Sequence, residues 1–409
     1  MIDYHTAIKQ ITKACGVLPA QSIDLASALQ RTSAAVVNCD TAIPPFANSA
    51  MDGFALRSSE CNLPDTSSKV EFEVAGTVLA GQAAPRTATP PGQAWEIMTG
   101  AEMPSGFDCV VPVERVSQVS GNESARIEIS TTVSAGQNVR NAGEDFKPGQ
   151  RVLPAGKIID AADIMALSAA GIGQLEARTE PRIAIVVTGN ELSLDNALET
   201  AMIRDANGPF LYTALNSIGI SDVQLCAIGD TAAELQDCIE PLLDDTDLII
   251  TTGGVSAGKA DCVPAAIAAM GANTLFHKVS IRPGKPLLGA QFINGPLVLG
   301  LPGNPVAVAA GFSFFVRPAL RKLLGQPEPE TITATLSNDF TKKKGLRFFA
   351  KAKTYTNQQG QLLVDILPGQ ESFKINPLLD ANAWAVMPED QDVLGKGELV
   401  EIVPLLPGK

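Results

Sequence analysis

Histidine is nearly absent from this 409-residue chain, which holds only His5 and His277. A His-rich zinc site, a two-His facial triad or a His-paired acid/base system would have to draw on those two, so most histidine chemistry is excluded. The seven cysteines (Cys15, Cys39, Cys61, Cys109, Cys226, Cys238, Cys262) are scattered, odd in number and nowhere spaced as CxxC. That pattern excludes a disulfide frame and a zinc knuckle, and predicts buried, reduced thiols. Long apolar runs are missing too: no stretch approaches the ~18 residues needed to cross a bilayer, and the amino terminus MIDYHTAIKQITKACG has no apolar h-region. The expectation is a soluble, cytoplasmic protein. Basic charge is in short supply, and a net charge of −13 argues against a chain that coats nucleic acid or an anionic membrane. Any anion it binds must be met by a local basic patch.

At about 100 to 200 residues per domain the length predicts two to four domains. Residues 3–14 place Ala7, Ile8 and Ile11 at helical spacing behind Asp3, a plausible N-cap, and a second short helix fits SIDLASALQRT. From Val70 to Val133 the text turns to short β-type runs broken by Gly, Pro and Asn, which predicts a β-rich module. DAADIMALSAAGI reads as a helix closed by Gly171. Between 181 and 325 strand and helix patterns alternate, and the strands are continuously apolar. This predicts a mostly parallel sheet covered by helices on both faces, a three-layer α/β domain. From Thr331 onward short strands return, which predicts a small, barrel-like C-terminal β-domain.

Three of the α/β strands run into glycine-rich turns: Thr188-Gly189-Asn190-Glu191, Thr252-Gly253-Gly254-Val255-Ser256 and Gly300-Leu301-Pro302-Gly303-Asn304-Pro305. Ligands of an open parallel sheet bind beyond the carboxyl ends of its strands, and glycine lets the backbone approach an anion closely. One such turn is ordinary loop chemistry, whereas three on one rim indicate a site. Asn304 followed by Pro305 reads as an N-cap with Pro at N1, which aims the free amides of the next helix into the crevice. Charge segregation points the same way. From Cys262 to Pro327 there is no Asp or Glu, while Lys278, Arg282, Lys285, Arg317, Arg321 and Lys322 are all positive. The last three fall at a helix end and complement its dipole. Lys278, Arg282 and Lys285 flank the stiff IRPGKP segment, a fixed fork of cations suited to a small tetrahedral oxyanion or phosphate. Acidic candidates are Asp52, Glu144, Asp145, Glu191, Asp205, Asp230 and Asp261. Carboxylates without histidine or thiol partners suit a hard cation such as Mg²⁺. Taken singly, Asp230 before TAAEL and Asp261 before a Pro-started helix look like N-caps.

The runs TGNEL, TGGVSAGKAD, RPGKP and LPGNP, preceded by NSAMDGFAL and RNAGEDFKPG, together resemble the molybdopterin molybdenumtransferase family, the MoeA proteins and the gephyrin E domain. The resemblance spans most of the chain. It implies a four-part, L-shaped homodimer, divided here as 1–20 with 181–326 (the α/β, molybdopterin-binding domain), 21–45 with 146–180, 46–145 and 327–409. It also implies a cleft between the α/β and C-terminal domains of one subunit and the β-rich module of the other. The implied activity is a transferase reaction. Molybdenum from molybdate enters adenylylated molybdopterin in a Mg²⁺-dependent step that releases AMP and molybdenum cofactor.

On the family pattern Ser256, Arg282, Lys285 and Pro286 match the molybdate-holding segment, joined by Ser372 of GQESF. Asp230, Asp261 and Glu191 match the acids near nucleotide and metal. Lys278 joins the basic set, and Asp52, Thr99, Arg140 and Asp145 match polar residues that the module presents to the cleft. Backbone at Gly253, Gly254, Pro302, Gly303 and Asn304 is expected to receive phosphate. The C-terminal domain departs from the pattern: Gly345 is followed by Leu346-Arg347, and Lys351 takes the later basic place, so Arg347, Lys351 or neither completes the oxyanion site. Lys259 stands where many relatives carry an acid and receives no role. Two rival readings share the fold, a molybdopterin adenylyltransferase, which is also the implied partner handing over substrate, and a scaffold without catalysis. The RPGKP and SAMDGFAL segments favour insertion over the first, and the retained charged set disfavours the second.

Overall fold

The computed structural model describes residues 1–63, 68–119, 125–193, 200–255 and 262–406. They form two compact units, one of Val36–Pro154 with Ala161–Gly173, the other of Met1–Ala35, Ala155–Asp160 and Gln174–Lys409. The first unit is built on a mixed six-stranded sheet in the order Cys109–Pro112, Gly53–Leu56, Gln93–Ile97, Val70–Val78, Arg126–Ile129, Val116–Val119. Alternation sorts its side chains: Phe54 and Leu56 face one buried cluster, Ala55 the other. The β-rich module of the sequence reading is this sheet. The helix anticipated after it is present at Ala161–Ala169, with Gly171 at φ +74° beyond its end.

In the second unit α1 (Tyr4–Ala14) begins as expected, with the amide of Thr6 donating to Asp3 Oδ1 at 2.9 Å and Ala7 and Ile11 buried. The helix anticipated over SIDLASALQRT is not formed. Ala20–Asp24 is a strand antiparallel to Gln174–Arg178, followed by a single 3-10 turn at Leu25–Ser27. Pairing with a distant strand, Ile23 opposite Leu175, overrides a weak local periodicity.

The α/β sheet has the strands β1 (Ile183–Thr188), β2 (Val223–Ile228), β3 (Leu248–Thr252), β4 (Asn273–His277), β5 (Leu288–Gln291) and β6 (Leu297–Leu301) in the order β2-β1-β3-β6-β5-β4. The first four positions are parallel, while β5 and β4 close the edge antiparallel. Neither β4 nor β5 was read from the sequence. Gly289 weakens the β5 pattern, and it is required because a Cβ there would stand 2.5 Å from the Phe276 ring.

Helices α2 (Asn207–Asn216), α3 (Ala232–Ile239), α4 (Val263–Ala269) and α5 (Pro305–Gly311) cover the sheet. Along β1, Ile183, Ile185 and Val187 enter the core shared with α1, α2 and α5, and Ala184 and Val186 the core shared with α3 and α4. Burying each larger aliphatic side chain contributes about 1.5–3 kcal/mol. The sulfurs of Cys226 on β2 and Cys238 on α3 face one another, with Cα atoms 7.8 Å apart, wider than a disulfide spans. Cys15, Cys39, Cys61 and Cys109 are free and buried.

The remaining strands, β7 (Ile332–Leu336), β8 (Arg347–Thr356), β9 (Leu362–Ile366), β10 (Ala383–Met387) and β11 (Leu399–Pro404), close a five-stranded barrel in the order β8-β9-β7-β11-β10, with β10 returning to β8. After α5 the chain stays helical through a π segment, Phe312–Val316, and on to Leu323. Here it grips the barrel. Phe314 stacks on Phe349 with centroids 3.7 Å apart, and Trp384 Nε1 donates to Ser313 Oγ at 3.0 Å. The short strand Ile281–Arg282 also pairs with Arg347–Phe348 of β8. Barrel and α/β sheet therefore sit in one unit with the IRPGKP segment between them.

Candidate active site

Strands β2 and β3 leave β1 on opposite sides, and beyond that switch point lies a cleft of about 550 Å³. Its walls carry Glu191, Asp205, Asp230, Gly253, Gly254, Gly303 and Asn304, so all three glycine-rich turns meet there. Gly253 is fixed by its surroundings: φ is +88°, and a Cβ would stand 2.6 Å from the Thr188 carbonyl oxygen. Asp230 is not an N-cap. Thr231 caps α3, accepting from the Glu234 amide at 3.2 Å, and this leaves Asp230 to face the cleft. Asp230 Oδ2 accepts from the Asn190 amide at 3.0 Å while the Asp230 amide donates to Asn190 Oδ1 at 3.2 Å, tying the first turn to the second crossover. Asp205 Oδ1 accepts from the amides of Asn207 and Gly208, and Asn207 Nδ2 donates to the Gly303 carbonyl at 2.8 Å.

The three carboxylates that line this cleft are hard oxygen donors. Among the described residues no group of three His, Cys, Asp or Glu is close enough to hold an ion unaided. Mg²⁺ commonly takes one or two carboxylates and completes its shell with waters and a substrate's phosphates. Asp230, which has no cationic partner among the described residues, and Glu191 fit that habit.

A second cleft of about 360 Å³ is lined by Arg282, Lys285, Pro286, Pro302, Ser372 and Gln370. The two clefts share Asn304 and Phe373. The IRPGKP loop is held by the Val279 amide donating to the Lys285 carbonyl at 2.9 Å, and Gly284 turns at φ +98°. The Arg282 guanidinium lies 5.4 Å from the Phe348 ring centroid. Neither Arg282 nor Lys285 has an ion-pair partner among the described residues, so both charges are open to a ligand. The nearby Glu371 is matched by Lys374 at 2.9 Å. The sequence reading left the amides of α5 free to meet phosphate. One is taken, because Pro305 has no N–H and the Val306 amide donates to the Ser372 carbonyl at 3.1 Å. That bond seats the Ser372 loop of the barrel on the helix start.

The other expected residues are placed as follows. Ser256 and Asp261, like Lys259, lie outside the described residues. Lys278 takes φ +73° at the end of β4 and lines neither cleft. Arg347 is buried, with its guanidinium held by Glu389 and Glu401 at 3.4 and 3.3 Å and 5.1 Å from the Tyr4 ring centroid. In the other unit Asp52 Oδ1 accepts from the amide and the hydroxyl of Thr99, each at 2.7 Å. Those two donors hold the Asp52 carboxyl below the usual carboxylate range. Arg140 belongs to a two-residue strand with Asn48–Ser49, and the Asp145 amide donates to the Ile43 carbonyl. Cleft residues that escaped the sequence reading include Arg204, Gln370, Asn207 and Phe373. Asn207 was legible as part of an Asp-Ala-Asn-Gly helix start, and Phe373, 64 % exposed, only as a neighbour of Ser372.

Known proteins resemble this chain along its whole length. Residues 2–171 match the family profile of the MoeA N-terminal region (domain I and II), 184–322 that of a probable molybdopterin binding domain, and 333–405 that of the MoeA C-terminal region (domain IV). The chain is 34 % identical to a molybdopterin molybdenumtransferase of Synechococcus elongatus over 411 residues, 98 % of this chain and 99 % of that one. It is 31 % identical to one of Staphylococcus aureus over 408 residues, 98 % and 95 % of the two chains. The crystal structure of a molybdopterin biosynthesis MoeA protein from Pyrococcus horikoshii superposes with a TM-score of 0.83 at 27 % identity, covering 99 % of this chain and 100 % of the other. Three profiles in order and full-length relatives above 30 % identity lead to one conclusion: the chain belongs to the molybdopterin molybdenumtransferase family.

Proposed function

We propose that this protein inserts molybdenum from molybdate into adenylylated molybdopterin in a Mg²⁺-dependent step that releases AMP and molybdenum cofactor. Its family makes it a transferase of molybdenum cofactor biosynthesis. One observation carries the finer reading: a carboxylate-lined cleft beneath glycine-rich turns and a cleft with two unpaired cations share the rim residues Asn304 and Phe373. A substrate with a nucleotide at one end and a metal-accepting dithiolene farther along needs two such neighbouring environments.

In this reading Arg282, Lys285 and the Ser372 hydroxyl bind molybdate, joined by Ser256. The backbone of Gly253, Gly254 and Gly303 lies against the phosphates. Asp230, Asp261 and Glu191 hold the magnesium ion, which supplies charge neutralisation for the phosphoanhydride and the departing AMP. The chain's own contribution is fixed charge and orientation in a site without histidine, so catalysis is electrostatic. Cytoplasmic location, assembly as a homodimer, a contribution of Asp52, Thr99, Arg140 and Asp145 to the cleft, and receipt of substrate from the adenylyltransferase belong to the same proposal.

The test is molybdate-dependent cofactor formation by the full chain with adenylylated molybdopterin and Mg²⁺. AMP release and transferable cofactor are expected, both lost in Lys285→Ala and in Asp261→Ala with the fold intact. Near wild-type turnover in both variants would sink the assignment, and ATP consumption with unmodified molybdopterin would make the protein an adenylyltransferase.

A further inference from the structure

Along β8 the side chains of Phe348, Ala350 and Ala352 fill the barrel, whereas Phe349 and Lys351 point out of it. Lys351 is fully buried, at 0 % exposure, among the rarest placements for a lysine. Its Nζ donates to three backbone carbonyls, those of Gly369 at 2.6 Å, Glu371 at 3.3 Å and Lys374 at 3.0 Å. An ammonium has three N–H donors, so all three are in use. The main chain of the same residue grips the same loop: its amide donates to Gln370 Oε1 at 3.0 Å, and its carbonyl accepts from Gln370 Nε2 at 2.9 Å. The loop so bound is the one that carries Ser372 and Phe373 into the clefts and docks its Ser372 carbonyl on the Val306 amide.

We propose that Lys351 is a positioning residue that sets the Ser372–Phe373 loop from inside, and that it does not touch the oxyanion. The proposal rests on the reading of the Arg282, Lys285 and Ser372 cleft as the molybdate site. It resolves the choice between Arg347 and Lys351 in favour of neither as a direct ligand. Arg347 is held by two glutamates, and Lys351 has no donor left. Holding a carbonyl fan around a buried cation fixes the loop's register more firmly than a neutral side chain could, because charge-assisted hydrogen bonds are the stronger ones. Burial correspondingly pushes the Lys351 ammonium below the usual lysine range.

The experiment is a double-mutant cycle in the full chain, with molybdate affinity from equilibrium dialysis and amide hydrogen exchange over Gly369–Lys374 as readouts. Lys351→Met is expected to weaken molybdate binding about tenfold, as loss of one charge-assisted contact does. It should also speed exchange of the loop amides. In a Ser372→Ala background the same change should weaken binding by no more than about twofold, because what Lys351 positions is already gone. Equal losses in both backgrounds would show Lys351 acting on the anion itself and overturn the proposal, as would unchanged loop exchange. Should Lys351→Met fail to fold, Gly369→Ala disturbs the loop with the Lys351 side chain unchanged. That glycine has φ +73°, and a Cβ would stand 3.1 Å from Pro377. Its expected result is the same tenfold loss with Lys351 intact, and full molybdate affinity there would overturn the proposal. If Ser372→Ala alone leaves molybdate binding unchanged while Lys351→Met still frees the loop, it is the molybdate site that is misassigned, and the clamp stands.

Discussion

The two clefts that share Asn304 and Phe373 are built by different means. The acidic one is made by backbone. Glycine turns at the ends of β1, β3 and β6 converge there, and each of its acids Asp205 and Asp230 also accepts an amide hydrogen bond that fixes a loop. The basic one is made by side chains on a stiff proline-rich loop and by a barrel loop held from behind. A backbone-built wall tolerates little substitution anywhere, whereas a side-chain-built wall concentrates its function in two or three residues.

The largest expected effect is therefore on the basic side. Lys285→Ala should lower molybdate-dependent turnover about 100-fold, as removal of one preorganised charge donor to an oxyanion does, with AMP binding unchanged. Steady-state turnover beside calorimetric AMP titration measures both. On the acidic side Asp230→Asn should lower turnover about tenfold and shift the Mg²⁺ dependence to higher concentration, leaving molybdate affinity alone. If Asp230→Asn weakened molybdate binding as much as Lys285→Ala does, the two walls would be a single electrostatic site and the contrast would fall. Gly253→Ala tests the backbone-built claim. Forcing a Cβ into that left-handed position against the Thr188 carbonyl should destabilise by about 1–3 kcal/mol, visible as earlier urea unfolding of the α/β signal. An unchanged transition would show that the turn has room to move. The smallest effect lies in the other unit. Thr99→Val removes one of two donors to Asp52, so the Asp52 carboxyl should titrate closer to its ordinary value, as followed by carboxyl NMR. The sign follows from linkage. A carboxylate held low stabilises the fold above its unfolded value, and that stabilisation is lost as pH falls through the lowered one.

Much of this contrast was legible in the primary structure. Continuous apolar strands ending in glycine marked the rim, and the absence of acid from Cys262 to Pro327 singled out Arg282 and Lys285 before any fold was known. What escaped was set by tertiary contact. Strand β5 runs antiparallel to β6, and β4 to β5, at one end of a sheet whose pattern reads parallel. SIDLASALQRT lost its helix to a partner strand about 150 residues away in sequence. Asp230 looked like a cap because Thr231 next to it could not be told apart by residue type. Lys351 read as a candidate for the oxyanion site, and only the three carbonyls around it show where its donors go.

The acid-free stretch that supplies the basic wall sits in a chain of net charge −13, and under the proposed function this governs how a small dianion arrives. Beyond about 10 Å at 0.1 M salt its field is screened, and in more dilute solution the acidic body repels it. Attraction begins only near the cleft mouth. Added salt first quenches the distant repulsion and later weakens the local pull. The association rate should thus rise and then fall with ionic strength, where a protein of net positive charge gives a steady decline. Capture of the anion is gated by range, with the protein admitting at close quarters a ligand that it turns away from afar.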